Sequence, residues 1–204
     1  MLVIGVGERS RRRRFAVGLT VVLGFLGAAV GVSLSAGVPD TQAASLLAAP
    51  KAATRKQMPD PVRIVIPAIG VNARVIPLGL NPDQTIQVPT NPTDTGWFRP
   101  GPEPGEQGAA VIVGHVATRS GPAVFYRLRN LRVGQVIKIR LRDGSTVRYV
   151  ARSMIAVLKS RFPTNRVYAR TTQPTLRLIT CAGKLNPSTG HHPENYIVFA
   201  SIVR

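Results

Sequence analysis

The sequence contains a single cysteine, Cys181, and one histidine, His115, that stands far from the other two. A thiol with an ordinary pKa of about 8.5 is only a few per cent thiolate at neutral pH, and the thiolate is the nucleophile. A neighbouring imidazole stabilises the thiolate as its own cation and afterwards protonates a leaving amine. The two residues are therefore a candidate nucleophile and acid–base pair. A small buried cysteine and a structural histidine are the alternative interpretation.

Both residues end apolar runs that are typical of β-strands. His115 ends the run AAVIVGH (109–115), and Cys181 ends the run TLRLITC (175–181). A side chain at the point where a strand opens into a loop is presented at the rim of its sheet. The pair could perform nucleophilic chemistry if the fold brings these two strand ends together.

Short apolar runs separated by Pro- and Gly-rich turns continue through most of the chain. They predict strands at 62–66, 71–76, 85–89, 109–115, 175–181 and 195–203, and a hairpin over 135–152 that turns at Asp143-Gly144. Only residues 123–131 show helical spacing. About eight short strands predict an all-β fold, a closed or nearly closed β-barrel with short helices. No Gly-rich phosphate loop follows a strand, so nucleotide binding is not expected.

The first 60 residues have a different organisation. A basic segment (1–14) ends in Arg11–Arg14, the stretch 15–38 carries no charge, and residues 39–60 are Ala-rich and interrupted by proline. At about 1.5 Å per residue the uncharged stretch is long enough to cross a bilayer. We predict a cytoplasmic segment (1–14), a single transmembrane anchor (15–38), an extracytoplasmic linker (39–60) and a folded domain (61–204). A cleaved signal peptide is the alternative, although its apolar region is normally shorter.

The charge balance narrows the range of partners. The chain carries 27 Lys+Arg against 9 Asp+Glu, a formal net charge of +18. Since the domain is expected outside the cell, we expect no nucleic-acid partner and interpret the charge as attraction to the anionic cell envelope. The hairpin carries one row of basic residues, for which a solvated sheet face is the alternative: Lys138, Arg140, Arg142, Arg148 and Arg152. The single cysteine excludes a disulfide framework within the chain. Few acidic residues lie close together in the sequence, so we expect neither a metal nor a cofactor.

Several segments resemble one known family. TLRLITC resembles the TLxTC signature of sortases, and VGHV resembles the segment that holds their catalytic histidine. The segments RIVIPAIGVNARVIPLGL, GWFRPGPEPGEQGAAVIVGHV, GPAVFYRLRNLRVGQVI and SRFPTNRVY are similar to the class F sortases of actinobacteria. The resemblance runs from about Arg63 to Val203, and the motifs occur in the family's order.

The resemblance implies a cysteine transpeptidase with the sortase β-barrel, held in the cell membrane with its catalytic domain outside. Cys181 would attack the threonine carbonyl of an LPxTG-like sorting signal near the C-terminus of a secreted protein. His115 would protonate the departing glycine amine. An amine of a peptidoglycan precursor would then release the protein from the thioacyl-enzyme, attached to the cell wall.

The sequence departs from the family at a third position. Sortases use an arginine on the last strand or just before it, expected here in a segment resembling GHYRDN. This chain reads GHHPEN (190–195), so Pro193 occupies the expected arginine position. Candidate substitutes are Arg177, for which a surface role is the alternative, and Arg119, Arg161, Lys184, His191 and His192. Asn195 also suggests a Cys-His-Asn arrangement, with an ordinary strand-start asparagine as the favoured interpretation.

The vacant arginine position leaves a second function open. A sortase-fold module with weak or no catalysis could bind the anionic cell envelope. In a third interpretation Cys181 is merely structural, in a basic protein that binds an anionic polymer.

Overall fold

The computed structural model describes residues 58–203, which form ten strands and a few short helical turns. The strands are β1 (Pro61–Ile66), β2 (Val71–Leu78), β3 (Thr95–Phe98), β4 (Gly108–Gly114), β5 (Ala117–Thr118), β6 (Gly121–Pro122), β7 (Val136–Leu141), β8 (Thr146–Leu158), β9 (Pro174–Ala182) and β10 (Glu194–Ile202). Three 3₁₀ turns (Pro67–Ile69, Leu128–Asn130, Lys159–Arg161) and one α-helical turn, α1 (Thr164–Val167), complete the elements.

The predicted segments 1–14 and 15–38, and all but the end of the predicted linker, lie outside the described residues. Within residues 58–203 we find no helix with the length and apolar character needed to cross a membrane.

Eight of the strands close into a barrel in the order β1-β2-β3-β4-β9-β10-β8-β7, and β5 pairs with β6 in a separate small ribbon. The pairs β2/β3 and β4/β9 are parallel, and the other barrel pairs are antiparallel. Closure leaves no exposed strand edge on the barrel that could recruit another chain. The predicted all-β barrel of about eight strands is confirmed.

The strand directions define two rims of the barrel. β4 and β9 run in parallel, so they end at the same rim, which we call the upper rim. β3 is antiparallel to β4, β2 is parallel to β3, and β1 is antiparallel to β2, so β1 also runs towards the upper rim. The described chain therefore enters the barrel at the opposite, lower rim. The hairpin turn between β7 and β8 lies at this lower rim too.

Alternating side chains fill the barrel interior, as the hairpin shows most clearly. Ile137, Ile139 and Leu141 are fully or almost fully buried, whereas Arg140 between them is exposed. They pack with inward side chains of the other strands, among them Ile64, Ile66, Trp97, Ile112, Tyr149, Leu178 and Val198. Each fully buried side chain of this size stabilises the fold by about 1.5–3 kcal/mol.

A second apolar cluster covers the outer side of β4, β9 and β10. It contains Val113, Ile179 and Ile197 from these strands, and Val167 of α1 is buried with them. Phe162 and Tyr168, from the same connection between β8 and β9, pack against the cluster. The sheet next to the upper rim is thus buried on both sides, as the continuous burial of β4 indicates.

Two local predictions are wrong, and three strands were not predicted: β3 and the two-residue strands β5 and β6. Residues 85–89 form no strand but one isolated bridge, Leu80↔Ile86, because the side chain of Asp83 accepts bonds from the backbone and hydroxyl of Thr85 and bends the chain. Residues 123–131 form tight turns ending in a 3₁₀ turn rather than an α-helix. β3 was missed because all four of its residues are buried, which removes the alternation that marks a strand.

Tyr149 ties the loop before β4 to the core. Its ring is fully buried, and its hydroxyl oxygen accepts a 2.8 Å hydrogen bond from the backbone N–H of Gly105. Burial raises the pKa of Tyr149 far above its usual range, so the hydroxyl stays neutral. Gly105 has φ +100°, a backbone conformation that other residues rarely adopt.

We expect Tyr149→Phe to lower the free energy of unfolding by about 1–3 kcal/mol, because it leaves the half-buried Gly105 N–H without its acceptor. Urea unfolding followed by circular dichroism measures the change. Tyr126→Phe is the matched control, since Tyr126 is 39% exposed, and it should change stability by less than about 0.5 kcal/mol. Equal effects of the two variants would contradict this role of the Tyr149 hydroxyl.

Candidate active site

The strand register places His115 and Cys181 beside each other at the upper rim. The last paired residues of β4 and β9 are Val113 and Ile179, and two residues further along each strand stand His115 and Cys181. Neighbouring strands lie about 4.8 Å apart, and equivalent positions of a parallel pair point to the same side. Cys181 is a free, half-buried cysteine that packs on the outer cluster containing Val113 and Ile179.

A buried hydrogen bond holds the two strand ends together. The hydroxyl of Thr180 donates to the carbonyl oxygen of Gly114 across 2.7 Å, and these are the residues immediately before Cys181 and His115. Thr180 is itself 2% exposed, so the bond is shielded from water. Thr180, the second threonine of the TLRLITC segment, thus sets the position of Cys181 against the strand that leads to His115.

The imidazole of His115 is oriented by a loop carbonyl. Its Nε2 lies 2.8 Å from the carbonyl oxygen of Pro89, in the connection between β2 and β3. A carbonyl only accepts, so Nε2 carries the proton in this arrangement and Nδ1 is the nitrogen left for proton transfer. The backbone of His115 is held as well, since its carbonyl accepts a 2.9 Å bond from the N–H of Phe125.

The residue before His115 has to be a glycine for steric reasons. A Cβ at Gly114 would lie 2.6 Å from the ring of Phe125 and 2.9 Å from the side chain of Val124. Phe125 is fully buried and cannot move aside without disturbing the core. The close packing of this segment therefore determines where β4 ends and where His115 begins.

We expect Gly114→Ala to destabilise the domain by about 1–3 kcal/mol and to displace the His115 ring. Thermal unfolding measures the first effect. Two-dimensional NMR of the histidine side chains measures the second, with the exposed His191 as an internal reference. Gly79→Ala is the control, because a Cβ there meets only the flexible side chain of Gln87 at 3.4 Å. An unshifted His115 resonance in Gly114→Ala would refute the proposed steric coupling.

The loop after Cys181 folds back on itself. The N–H of Asn186 donates to the carbonyl of His191 at 2.9 Å, and the Nδ1 of His192 lies 2.7 Å from the carbonyl oxygen of Gly183. The carbonyl of Pro193 accepts a 3.0 Å bond from the N–H of Lys159. His192 is thereby held against a residue two positions after Cys181, whereas Lys184 and His191 are exposed.

The start of β10 lies directly opposite Cys181. Asn195 is its paired residue and is fully buried, and Pro193 stands two residues earlier. By alternation, positions 193 and 195 share the face of Cys181, and diagonal neighbours of this kind lie about 7–8 Å apart. A long side chain at position 193 could reach the cysteine, but proline offers no side-chain donor. Because β9 lies between β4 and β10, Asn195 neighbours Cys181 rather than the strand end that carries His115.

Arg177 is buried, so the alternative of a surface role for it is wrong. It is 6% exposed, its guanidinium carbon lies 4.8 Å from the centre of the Phe199 ring, and its Nη1 donates to the carbonyl of Leu176. Burial and the nearby charge of Arg166 lower the pKa of Arg177 to about 10, so it remains a cation at neutral pH. It lies four residues before Cys181 on the same strand, about 13 Å along β9. Its guanidinium is held against Phe199 and the Leu176 carbonyl, and among the described residues no hydrogen bond joins it to Cys181.

The two remaining arginine candidates lie in exposed segments. Arg119 is in the turn between β5 and β6, and Arg161 ends the 3₁₀ turn after β8. Neither forms a hydrogen bond or ion pair with another residue that the structure describes. Nothing in the geometry assigns the third role to either of them.

The family model of the sortase domain matches residues 64–203. The chain belongs to the sortase family. Sortases are in general cysteine transpeptidases, and this chain contains a single cysteine, Cys181. No curated protein matches the sequence.

Solved sortases share the fold. The chain is similar to a lid mutant of sortase A from Corynebacterium diphtheriae (TM-score 0.57, 21% identity, covering 74% of this chain and 73% of that one). Sortase C-1 from Actinomyces oris gives a TM-score of 0.55 with 23% identity, covering 71% and 74%. A second sortase A structure from C. diphtheriae gives 0.56 with 20% identity, covering 72% of this chain but 62% of that one. At these identities the likeness shows the sortase barrel and leaves class and substrate to other arguments.

Proposed function

We propose that this sortase is a membrane-anchored, class F-type transpeptidase that cleaves an LPxTG-like sorting signal through a thioacyl-enzyme on Cys181. The observation that supports it most directly is the register of β4 and β9, which leads to His115 and Cys181 at equivalent positions of the upper rim. The single cysteine of the chain thus stands beside an imidazole whose ring is already oriented.

The proposed reaction has two acyl transfers. The Cys181 thiolate attacks the threonine carbonyl carbon, the Thr–Gly C–N bond breaks, and His115 gives its Nδ1 proton to the leaving glycine amine. The amine of a peptidoglycan precursor then attacks the thioester carbon, the C–S bond breaks, and the proton lost by the amine returns to the His115–Cys181 pair. The secreted protein ends on the cell wall, and the enzyme is restored without any cofactor.

The third role in this reaction is donation of hydrogen bonds to the developing oxyanion. Removing one such donor typically costs about 10²–10³ in rate. Proline at position 193 leaves this role to backbone N–H groups of the loop after Cys181 or to His192, which the Gly183 carbonyl holds nearby. We therefore expect slow acylation in this enzyme, and the weakly active envelope-binding module stays the second candidate function.

The cellular location follows from the sequence of the first 60 residues. The uncharged stretch 15–38 serves as the membrane anchor, with the N-terminus in the cytoplasm and the catalytic domain outside.

Incubation with LPxTG-type peptides should produce a mass adduct of the N-terminal peptide fragment on the wild-type protein. Intact-mass spectrometry detects it. Cys181→Ala should give no adduct, and His115→Gln should slow its formation by about 10²–10⁴, the usual share of a general acid–base. Circular dichroism of each variant checks folding. An adduct of equal yield on Cys181→Ala would show that the chemistry resides elsewhere.

Pro193→Arg should raise the rate of adduct formation by about tenfold or more, because it restores a guanidinium at a position diagonal to Cys181. Pro187→Arg, in the exposed loop after Cys181, adds the same charge and should leave the rate unchanged. If the folded wild type and Pro193→Arg both give no adduct over a broad peptide set, the envelope-binding module becomes the better function.

A further inference from the structure

The outer side of the barrel wall formed by β2, β1, β7 and β8 is strongly basic, and the proposed chemistry does not use it. In the barrel order this wall lies opposite β4 and β9, which carry the candidate site. We call it the basic face, and it consists of Arg63, Arg74, Lys138, Arg140, Arg142 and Arg148.

The strand register sets like charges directly against each other on the basic face. Arg63 of β1 pairs with Arg74 of β2 on one side and with Arg140 of β7 on the other. Lys138 of β7 pairs with Arg148 of β8. Like charges in directly opposite positions destabilise a sheet unless a counter-charge is present. The arrangement is therefore unfavourable for the isolated domain and favourable against an anionic surface.

The described acids do not supply that counter-charge. Arg142 forms a 2.9 Å ion pair with Asp60, in which both side chains are largely exposed. Asp143 accepts hydrogen bonds from the N–H and hydroxyl of Ser145, and these bonds lower the pKa of Asp143 and hold it in the turn. The other five members of the basic face make no ion pair with any residue in the range 58–203.

A cleft of about 270 Å³ opens at the lower end of this face. Arg74 and Arg142 line it together with Asp60, and Trp97 and Pro61 contribute apolar walls. A guanidinium presents donors in a planar fork that matches two phosphate oxygens. Asp60 already holds Arg142 in an ion pair, so Arg74 is the donor that the cleft offers to a phosphate beside its apolar lining.

The position of the basic face favours the membrane as its partner. Arg63 and Arg140 lie near the start of β1, where the described chain enters the barrel, and Arg142 lies at the same lower rim. An anionic surface against this wall would leave the opposite wall, with β4 and β9, facing away from it. The electrostatic attraction falls off within a Debye length, so a domain tethered close to its membrane gains most from it.

We propose that the basic face rests on the anionic phospholipid headgroups of the membrane that anchors the chain, and that this contact turns the opposite wall, which carries the candidate site, away from the bilayer. The proposal depends on the anchor at 15–38 that belongs to the proposed function. The anchor and the contact of the basic face can fail separately. The anchor predicts insertion into any bilayer, whereas the contact of the basic face requires anionic lipid.

Trp97 is the only tryptophan of the chain and lines the cleft, so it is a native fluorescence donor for the test. The full chain is reconstituted with phosphatidylcholine vesicles that contain a dansyl-labelled headgroup, with or without phosphatidylglycerol. We expect energy transfer from Trp97 to dansyl to be about twofold higher with phosphatidylglycerol and to return to the lower value in high salt. Flotation on a density gradient reports insertion independently.

Two matched triple variants complete the design. Arg63→Gln, Lys138→Gln and Arg140→Gln together should abolish the increase caused by phosphatidylglycerol. Arg127→Gln, Arg129→Gln and Arg132→Gln remove the same charge from exposed positions between β6 and β7, and should leave that increase intact. Circular dichroism confirms that both variants are folded.

Each outcome supports or overturns at least one of the two proposals. Flotation with both lipids but equal energy transfer keeps the anchor and overturns membrane contact by the basic face. Flotation only with phosphatidylglycerol, lost in the basic-face variant, overturns the anchor and supports the face. Flotation with neither lipid overturns both. Binding of soluble polyphosphate without any response to phosphatidylglycerol would identify a soluble polyanion as the partner and reject the membrane.

Discussion

The parallel pairing of β4 with β9 is the contact on which the candidate site depends. Parallel strands end at the same rim, so any two residues that follow them at equal distances are neighbours whatever their separation in sequence. The buried bond from Thr180 to Gly114 closes this pairing at its last step. A shift of one residue in this register would turn Cys181 to the other side of the sheet, because side chains alternate along a strand.

The surrounding packing secures that register from both sides. Inside the barrel, Ile112 and Leu178 belong to the core, and outside it Val113 and Ile179 are covered by the connection that contains α1. A strand that is buried on both faces cannot slide along its neighbour without exposing apolar side chains and burying polar atoms. Cys181 and His115 therefore follow a part of the sheet that is buried on both sides, while the two residues themselves are only half-buried.

Much of the fold is predictable from local patterns, and the failures have physical reasons. The β7–β8 hairpin alternates cleanly between core and solvent, so its strands and turn follow from the sequence, and β4 and β9 follow from their uninterrupted apolar runs. β3 consists of four buried residues, so its sequence shows no alternation between apolar and polar positions. The burial of Arg177 depends on the segment 159–173 folding over the outer side of β9, which no alternation within β9 reports. The adjacency of Cys181 and His115 is likewise a property of strand order, which the residues at the strand ends only suggest.

The contact between His115 and Pro89 bears on the orientation of the imidazole during the proposed reaction. The Pro89 carbonyl can accept the Nε2 hydrogen bond from both a neutral and a cationic imidazole, so this bond persists in both states and strengthens when the ring is charged. In the proposed reaction, protons would then enter and leave through Nδ1 alone, and the imidazole would not need to flip between donating to the leaving group and receiving from the incoming amine. The loop between β2 and β3, far from the cysteine in sequence, thus fixes the orientation of the His115 ring.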